Sequence, residues 1–281
     1  MRMIKVAAAI LAVILLTSCG AQPRAEKSSV AATTGPVAQF AEAIVQGTDV
    51  TVTQLISDSI SCLHDYSLSV RQMQVLETCQ VVLISGAELE HFMEDLLETA
   101  PVVDCSRGVT LRQVEGEADP HIWLDPDNAA IMAENICVGL TAQYPQHEAA
   151  FRANTDALQV RLSELKLLGQ EALADLSCRQ LITFHDGFGY FAQAFDLQIL
   201  AAVEEESGSE ASAADLMEIL ALVEQYGLPA VFTETHGSDA AASVIRAETG
   251  IAVYTLDTAM GGSDYFEAME ANFAVLQEAL R

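Results

Sequence analysis

Basic residues are scarce in this 281-residue chain, which has 13 Lys and Arg against 40 Asp and Glu and a formal net charge of −27. Such a surface repels phosphate backbones, so nucleic-acid binding is excluded. After the apolar run that ends at Leu16, no segment approaches the ~18 consecutive apolar residues of a membrane-spanning helix. The sequence also lacks CxxC and HExxH, which disfavours a thiolate zinc cluster and a helix-borne zinc hydrolase site.

The N-terminus has the order of a secretory signal: Arg2 and Lys5, then an apolar run, then Leu16-Thr17-Ser18-Cys19. We expect residues 1–18 to be a signal peptide. The last four residues resemble a bacterial lipobox, which implies that Cys19 is lipidated and becomes the first residue of the mature chain. The alternative is an ordinary signal peptide with an incidental cysteine. Residues 19–28 are small and polar and are predicted to form a flexible tether from the lipid.

Cysteines are few, and with Cys19 assigned to the anchor an odd number remains in an oxidising compartment. At least one thiol is therefore left unpaired or intermolecular, and the pairing stays open among Cys62, Cys79, Cys105, Cys137 and Cys178.

From residue 29 onward, apolar β-type runs alternate with helical patterns, which is typical of βαβ units and parallel sheets. The predicted strands lie near 29–33, 49–55, 80–85 and 101–104, and then near 179–184, 197–203, 230–233 and 251–256. The predicted helices lie near 36–46, 69–78 and 88–98, and then near 187–195, 212–226, 239–248 and 264–280. The pattern predicts an α/β protein with two lobes, each a roughly four-stranded parallel sheet flanked by helices.

The segment between the two sets of strands has no strand pattern and no glycine-rich linker. Asp125-Pro126 is a helix start, Pro145 interrupts the pattern, and Phe151, Leu158, Leu162, Leu165 and Leu168 follow at helical spacing. We therefore expect an N-terminal lobe over 29–144, a long rigid linker helix over 145–176 and a C-terminal lobe over 177–281. A stiff linker argues against large clam-like closure.

Histidine is scarce, six in all, so its positions are informative. His185 and Asp257 follow apolar strand patterns, at the strand ends where open α/β sheets bind ligands. His64 and His121 lie in loops after strands of the first set. Three imidazoles and one carboxylate complete a tetrahedral zinc shell. A single loop histidine is more often a surface residue, however, so residue chemistry alone leaves a metal site between the lobes as one hypothesis.

Three motifs resemble those of the zinc/manganese-specific solute-binding lipoproteins of metal ABC transporters, of the cluster A-I type. They are His64-Asp65-Tyr66, the run DPHIWLDP over 119–126, and the run TFHDGF over 183–188 followed by Tyr190 and Phe191. The resemblance covers the chain from Val30 to its C-terminus. It implies one metal ion bound by His64, His121, His185 and Asp257.

The resemblance also implies a role. The chain is expected to capture Zn²⁺ with high affinity at the extracytoplasmic face of the bacterial cell membrane, held there by its lipid anchor. It would act as a monomer and deliver the ion to an ABC permease driven by a cytoplasmic ATPase. Manganese members of the family place Glu at the third ligand position, so His185 favours zinc, with Mn²⁺ as the alternative.

Other interpretations stay open at this point. His236 also follows a strand and is a rival fourth ligand or a group behind the ligands. The loop of Asp257 departs from the family, because Thr258-Ala259 stands where Pro-Leu is common. A metal-dependent surface adhesin is a second function to weigh. A zinc hydrolase is disfavoured, because four protein ligands would leave no open coordination position.

Overall fold

The chain folds into two four-stranded parallel sheets with flanking helices. The computed structural model describes residues 29–56, 66–97, 101–114, 116–204, 212–235 and 240–281. The predicted signal peptide, Cys19, the tether, Cys62, His64 and His236 lie outside the described residues. The strand orders are β2-β1-β3-β4 in the first sheet and β10-β9-β7-β8 in the second. These orders confirm the predicted α/β architecture of two similar lobes.

The N-terminal sheet has two largely buried interior strands, and its two edge strands are partly exposed. Its strands are β1 Ser29–Ala32, β2 Thr51–Gln54, β3 Val81–Ile84 and β4 Val102–Asp104. Its helices are α1 Gly35–Val45, α2 Val70–Thr78 and α3 Glu94–Leu97. A small antiparallel hairpin follows, with β5 Gln113–Val114 and β6 Glu117–Ala118, and the sequence patterns did not predict it.

The C-terminal sheet has the same plan, with β7 in the interior between β9 and β8. Its strands are β7 Gln180–His185, β8 Gln198–Glu204, β9 Ala230–Glu234 and β10 Ala252–Leu256. Its helices are α6 Gly189–Ala194, α7 Ala213–Tyr226, α8 Ala240–Thr249 and α9 Tyr265–Leu280. One apolar core runs through both lobes, and a smaller cluster lies between the second sheet, α7 and α8.

Two helices connect the sheets: α4 Pro126–Gln143 and α5 Glu148–Ala172. The Asp125 side chain caps α4 by accepting from the Asp127 N–H at 3.0 Å, as the Asp-Pro pair predicts. The 25-residue α5 buries Phe151, Leu158, Leu162 and Leu165. The predicted fifth member of that stripe, Leu168, is 46% exposed instead, because the buried stripe continues at Gly169, four residues after Leu165. The exact lobe boundaries remain predictions.

The predicted helix over 88–98 is wrong at its start. Ala87 and Glu88 have φ of 51° and 69°, in the left-handed region that no right-handed helix contains. The chain turns here because the buried Glu90 carboxylate accepts hydrogen bonds from the Ser85 and Gly86 N–H groups. A 3₁₀ turn over His91–Met93 follows, and only then the short α3.

The loop after β10 holds the two lobes together. The Gly35 N–H donates to the Met260 carbonyl at 3.1 Å, and the Gln39 amide donates to the Ser263 carbonyl at 2.8 Å. The Trp123 indole N–H donates to the Thr258 carbonyl at 2.7 Å. These buried or half-buried contacts join α1 and the 121–125 segment to the second lobe, which supports the expectation of a rigid two-lobe body.

Among the described residues, Cys105, Cys137 and Cys178 are not part of a disulfide. No helix in the described ranges is both long and apolar enough to cross a bilayer.

Candidate metal centre

His185 is the last residue of β7, and its side chain is buried, with 7% of the residue exposed. β7 is an interior strand of its sheet, and His185 lies at its carboxyl end, where open α/β sheets bind ligands. The largely apolar run Leu181–Phe184 forms most of the strand, and the end of the strand determines where the imidazole lies. The structure places His185 at the end of this strand, as its last residue rather than directly after it.

His121 comes from the other lobe, between the β5–β6 hairpin and a 3₁₀ turn over Ile122–Leu124. Trp123 in that turn is fully buried, and its ring centroid lies 5.5 Å from that of His121. The Asp125 cap of α4 then ends the segment, and Lys166 of α5 pairs with the Asp125 carboxylate at 2.8 Å. Local packing on both sides therefore fixes the backbone that carries His121.

The two histidines meet across the crevice. Their Nε2 atoms are 3.0 Å apart, and the ring planes are inclined at 78°. Two imidazoles on one tetrahedral zinc ion, each at about 2.0–2.1 Å, would have nitrogens about 3.3–3.4 Å apart. The observed separation is within a few tenths of an ångström of that value. Residues that are 64 positions apart in sequence thus present their ring nitrogens to a common point.

The carboxylate of Asp119 sets the tautomer of His121. Its Nδ1 lies 3.0 Å from Asp119 Oδ1, and the same carboxylate oxygen accepts from the His121 N–H at 3.0 Å. A carboxylate can only accept, so Nδ1 carries the hydrogen and the Nε2 lone pair faces His185. Asp119 Oδ2 in turn accepts from Arg112 Nη1 at 3.2 Å.

His185 has a different environment. Its Nδ1 is buried and has no hydrogen-bond partner within the described part of the chain. Burial, together with the positive charge that His121 can carry, lowers the pKa of His185 to about 3. The ring is therefore neutral at physiological pH, which is the form that binds metal.

Gly187 closes one side of the histidine pair. A Cβ at this position would lie 2.6 Å from His185 Cδ2, 2.8 Å from His185 Nε2 and 3.1 Å from His121 Cδ2. Real Cβ contacts are not this short, so only glycine leaves both rings in place. Gly187 belongs to the functional residues that the sequence patterns missed, although its place two residues after a candidate ligand was a signal.

Asp257 follows β10 directly, as predicted, and α9 fixes its backbone. Its carboxylate bonds within its own loop, accepting from the Ala259 N–H at 2.7 Å and from the Ser263 hydroxyl at 2.6 Å. The structure brings His121 and His185 together, but it does not add Asp257 to them. Among the described residues no group of three or more His, Cys, Asp or Glu side chains forms a metal cluster.

Sequence patterns also missed Asp119 and Arg112 as groups behind the ligand. Asp119 could have been suspected, because it lies two residues before His121 within the DPHIWLDP run. Arg112 carried no such signal, since its contact with Tyr190 joins residues 78 positions apart.

Comparison with known proteins places this geometry in a family. Residues 30–279 match the family described as ZnuA, the periplasmic component A of a zinc-uptake complex. The chain is 28% identical to the manganese-binding lipoprotein MntA of Bacillus subtilis over 96% of this chain and 92% of MntA. It is 24% identical to the zinc-binding lipoprotein AdcA of Streptococcus pneumoniae, over 99% of this chain but only 61% of AdcA.

The fold agrees with these matches. A crystal structure of ZnuA superposes with a TM-score of 0.81 at 26% identity, covering 89% of this chain and 98% of ZnuA. Proteins of this family bind solutes for ABC transporters and are not enzymes, which confirms the prediction against a hydrolase. The chain therefore belongs to the ZnuA family, the extracytoplasmic metal-binding proteins of ABC-type metal uptake.

Proposed function

We propose that this chain captures one Zn²⁺ ion in the crevice between its lobes and delivers it to an ABC permease driven by a cytoplasmic ATPase. The observation that carries the proposal is the approach of His121 and His185, whose Nε2 atoms are 3.0 Å apart. These two buried ring nitrogens come from different lobes and lie near the spacing that they would have on one tetrahedral ion. The same separation allows an N–H···N hydrogen bond between the rings, which the ion would replace.

His64 and Asp257 complete the proposed ligand set. Support for His64 is its motif, His64-Asp65-Tyr66. Support for Asp257 is its position at the carboxyl end of β10, on the same edge of the sheet as His185. The Asp257 carboxylate now accepts a 2.6 Å hydrogen bond from the Ser263 hydroxyl. It would give up this bond to bind the ion. His236 is the rival for the fourth position.

Zinc is the proposed ion because three of the four proposed donors are imidazole nitrogens. Imidazole nitrogen suits Zn²⁺, whereas Mn²⁺ prefers a shell richer in carboxylate and water oxygen. Three imidazoles with one carboxylate fill a tetrahedral shell, so the ion is held without an open position for catalysis. Mn²⁺ is the alternative cargo, since the relatives named above include both a zinc-binding and a manganese-binding lipoprotein.

The proposed setting is the outer face of the cell membrane, with the chain held there as a monomer by a lipid on Cys19. Capture involves no covalent step. The ion displaces protons from the histidines and is enclosed by both lobes. Surface adhesion stays a second hypothesis, to be tested by host-surface binding in a variant that has lost metal.

A thermal-shift series tests the proposal, because a ligand that binds only the folded state raises the melting temperature. We expect a larger rise with Zn²⁺ than with Mn²⁺, Fe²⁺ or Ca²⁺. His185→Ala should abolish the zinc shift, and His91→Ala should keep it, because the His91 side chain is 67% exposed and pairs with Glu94. The proposal fails if zinc gives no shift or if His185→Ala leaves the shift intact. A dominant Mn²⁺ shift would establish the alternative cargo.

A further inference from the structure

Arg112 lies behind the metal centre without reaching it. Its Nη1 atom is 3.2 Å from Asp119 Oδ2, and the carboxylate side chain of Asp119 is only 1% exposed. The backbone supports the same pair, since the Asp119 N–H donates to the Arg112 carbonyl at 3.0 Å. Asp119 Oδ1 is occupied by the N–H and Nδ1 of His121. Arg112 is thus the cation that faces the second oxygen of the carboxylate behind His121.

The second lobe holds Arg112 in place. The Arg112 N–H donates to the Tyr190 hydroxyl oxygen at 2.8 Å, and the guanidinium lies over the Tyr190 ring at 5.6 Å from its centroid. A Cβ on residue 189 would overlap the guanidinium, so Gly189 at the start of α6 makes room for it. The side chain that orients Asp119 is therefore itself positioned by the lobe that carries His185.

We infer that Arg112 is a positioning residue for metal binding: it orients Asp119, which keeps the hydrogen of His121 on Nδ1 and turns the Nε2 lone pair towards the ion. The inference rests on the proposed metal site and assigns its affinity in part to a residue outside the ligand set. Carboxylate partners of this kind fix the ring orientation of a ligand histidine and make it a stronger donor. His185 has no such partner at its Nδ1 within the described residues.

The experiment compares wild type with Arg112→Gln, Arg112→Lys and Arg152→Gln. Arg152 is the matched control, because it also pairs with a carboxylate, that of Glu134 at 2.7 Å, but on the exposed surface of α5 and α4. Two readouts are used: the tautomer of His121 in metal-free protein, by nitrogen-detected NMR of the imidazoles, and Zn²⁺ affinity, by competition with a chromophoric chelator.

We expect Arg112→Gln to give a mixture of His121 tautomers and an affinity for Zn²⁺ about 10-fold weaker, the lower end of effects seen for such partners. Arg112→Lys keeps the charge and should recover part of both readouts, and Arg152→Gln should match wild type. A wild-type tautomer and affinity in Arg112→Gln would overturn the inference, as would a fall in melting temperature with neither readout changed. If Arg112→Gln does not fold, the lysine variant decides by the same criteria.

The measurements distinguish an error in the metal site from an error in the positioning role of Arg112. If wild type binds no zinc, the metal site is wrong, and the tautomer of His121 still reports whether Arg112 acts through Asp119. If wild type binds zinc and Arg112→Gln binds it equally, the metal site stands and the positioning role is wrong.

Discussion

Asn272 holds the backbone of Asp257 on both sides. Its amide oxygen accepts from the Asp257 N–H at 2.8 Å, and its amide nitrogen donates to the Asp257 carbonyl at 2.8 Å. Asn272 lies on α9 and is almost fully buried, so the pair fixes the start of the loop that carries the proposed fourth ligand. A side-chain amide suits this position because it offers both a donor and an acceptor.

Asn272→Ala should therefore lower both stability and metal affinity. It leaves a partly buried N–H and a partly buried carbonyl without their side-chain partner, which costs about 2–4 kcal/mol in the free energy of unfolding. Asn154→Ala is the control, since the Asn154 amide also bonds two backbone carbonyls, those of Ile44 and Gln46, far from the centre. Urea unfolding and zinc titration of both variants should show lost stability in each but lost affinity only for Asn272→Ala. Equal affinities would contradict the role given to Asp257.

Gly187→Ala tests the space beside the histidine pair. The added methyl would displace the His185 ring, which it would otherwise approach to 2.6 Å, and would press on His121 as well. We expect zinc affinity to fall at least about 10-fold, since ligand nitrogens must keep their spacing to within tenths of an ångström. Gly262→Ala is the matched control, because a Cβ there meets nothing within 4 Å. Isothermal titration of both variants checks this, and an unchanged affinity in Gly187→Ala would argue against the geometry.

Glu90 should make stability fall as pH rises. Its buried carboxyl accepts from the Thr33 hydroxyl at 2.6 Å and from the Ser85 and Gly86 N–H groups. Burial outweighs these bonds, and the nearby Asp104 charge adds to it, so the pKa rises from 4.5 to about 7. The neutral form is thus favoured in the folded state, and the stabilisation present below pH 4.5 is lost as pH rises through about 7.

The size of this effect is about 3 kcal/mol, from a pKa shift of about 2.5 at roughly 1.4 kcal/mol for each pH unit. Urea unfolding at pH 5 and pH 8 measures it, with Glu90→Gln as the reference. Glutamine cannot ionise, so the variant should lack this part of the pH dependence even if its stability is lower at both values. If the free energy of unfolding changed by the same amount between pH 5 and pH 8 in both proteins, Glu90 would not titrate in this range.

Trp123→Phe should weaken the contact between the lobes. The change removes the indole N–H that donates to the Thr258 carbonyl at 2.7 Å and leaves that buried carbonyl unpaired. We expect a loss of about 1–3 kcal/mol in the free energy of unfolding. Hydrogen exchange should also speed up in the loop after β10, and slow exchange there in the variant would contradict the role of this bond.

The sequence predicted the parts of the site that depend on strand order. His185 and Asp257 follow strongly apolar runs, so their places at the ends of β7 and β10 could be predicted from pattern alone. The role of Arg112 could not, because it depends on a contact between the lobes, the bond from the Arg112 N–H to the Tyr190 hydroxyl. The helix start predicted at residue 88 failed for a related reason. There the Glu90 carboxylate accepts hydrogen bonds from the Ser85 and Gly86 N–H groups. These bonds override the local preference for a helix.

The most direct test of the metal centre is X-ray absorption at the zinc edge of the one-to-one complex, in wild type and in His185→Ala. We predict a wild-type shell of three imidazoles and one carboxylate oxygen at about 2.0–2.1 Å, with one imidazole fewer in the variant. A sulfur ligand at about 2.3 Å, or the same number of imidazoles in both proteins, would contradict it.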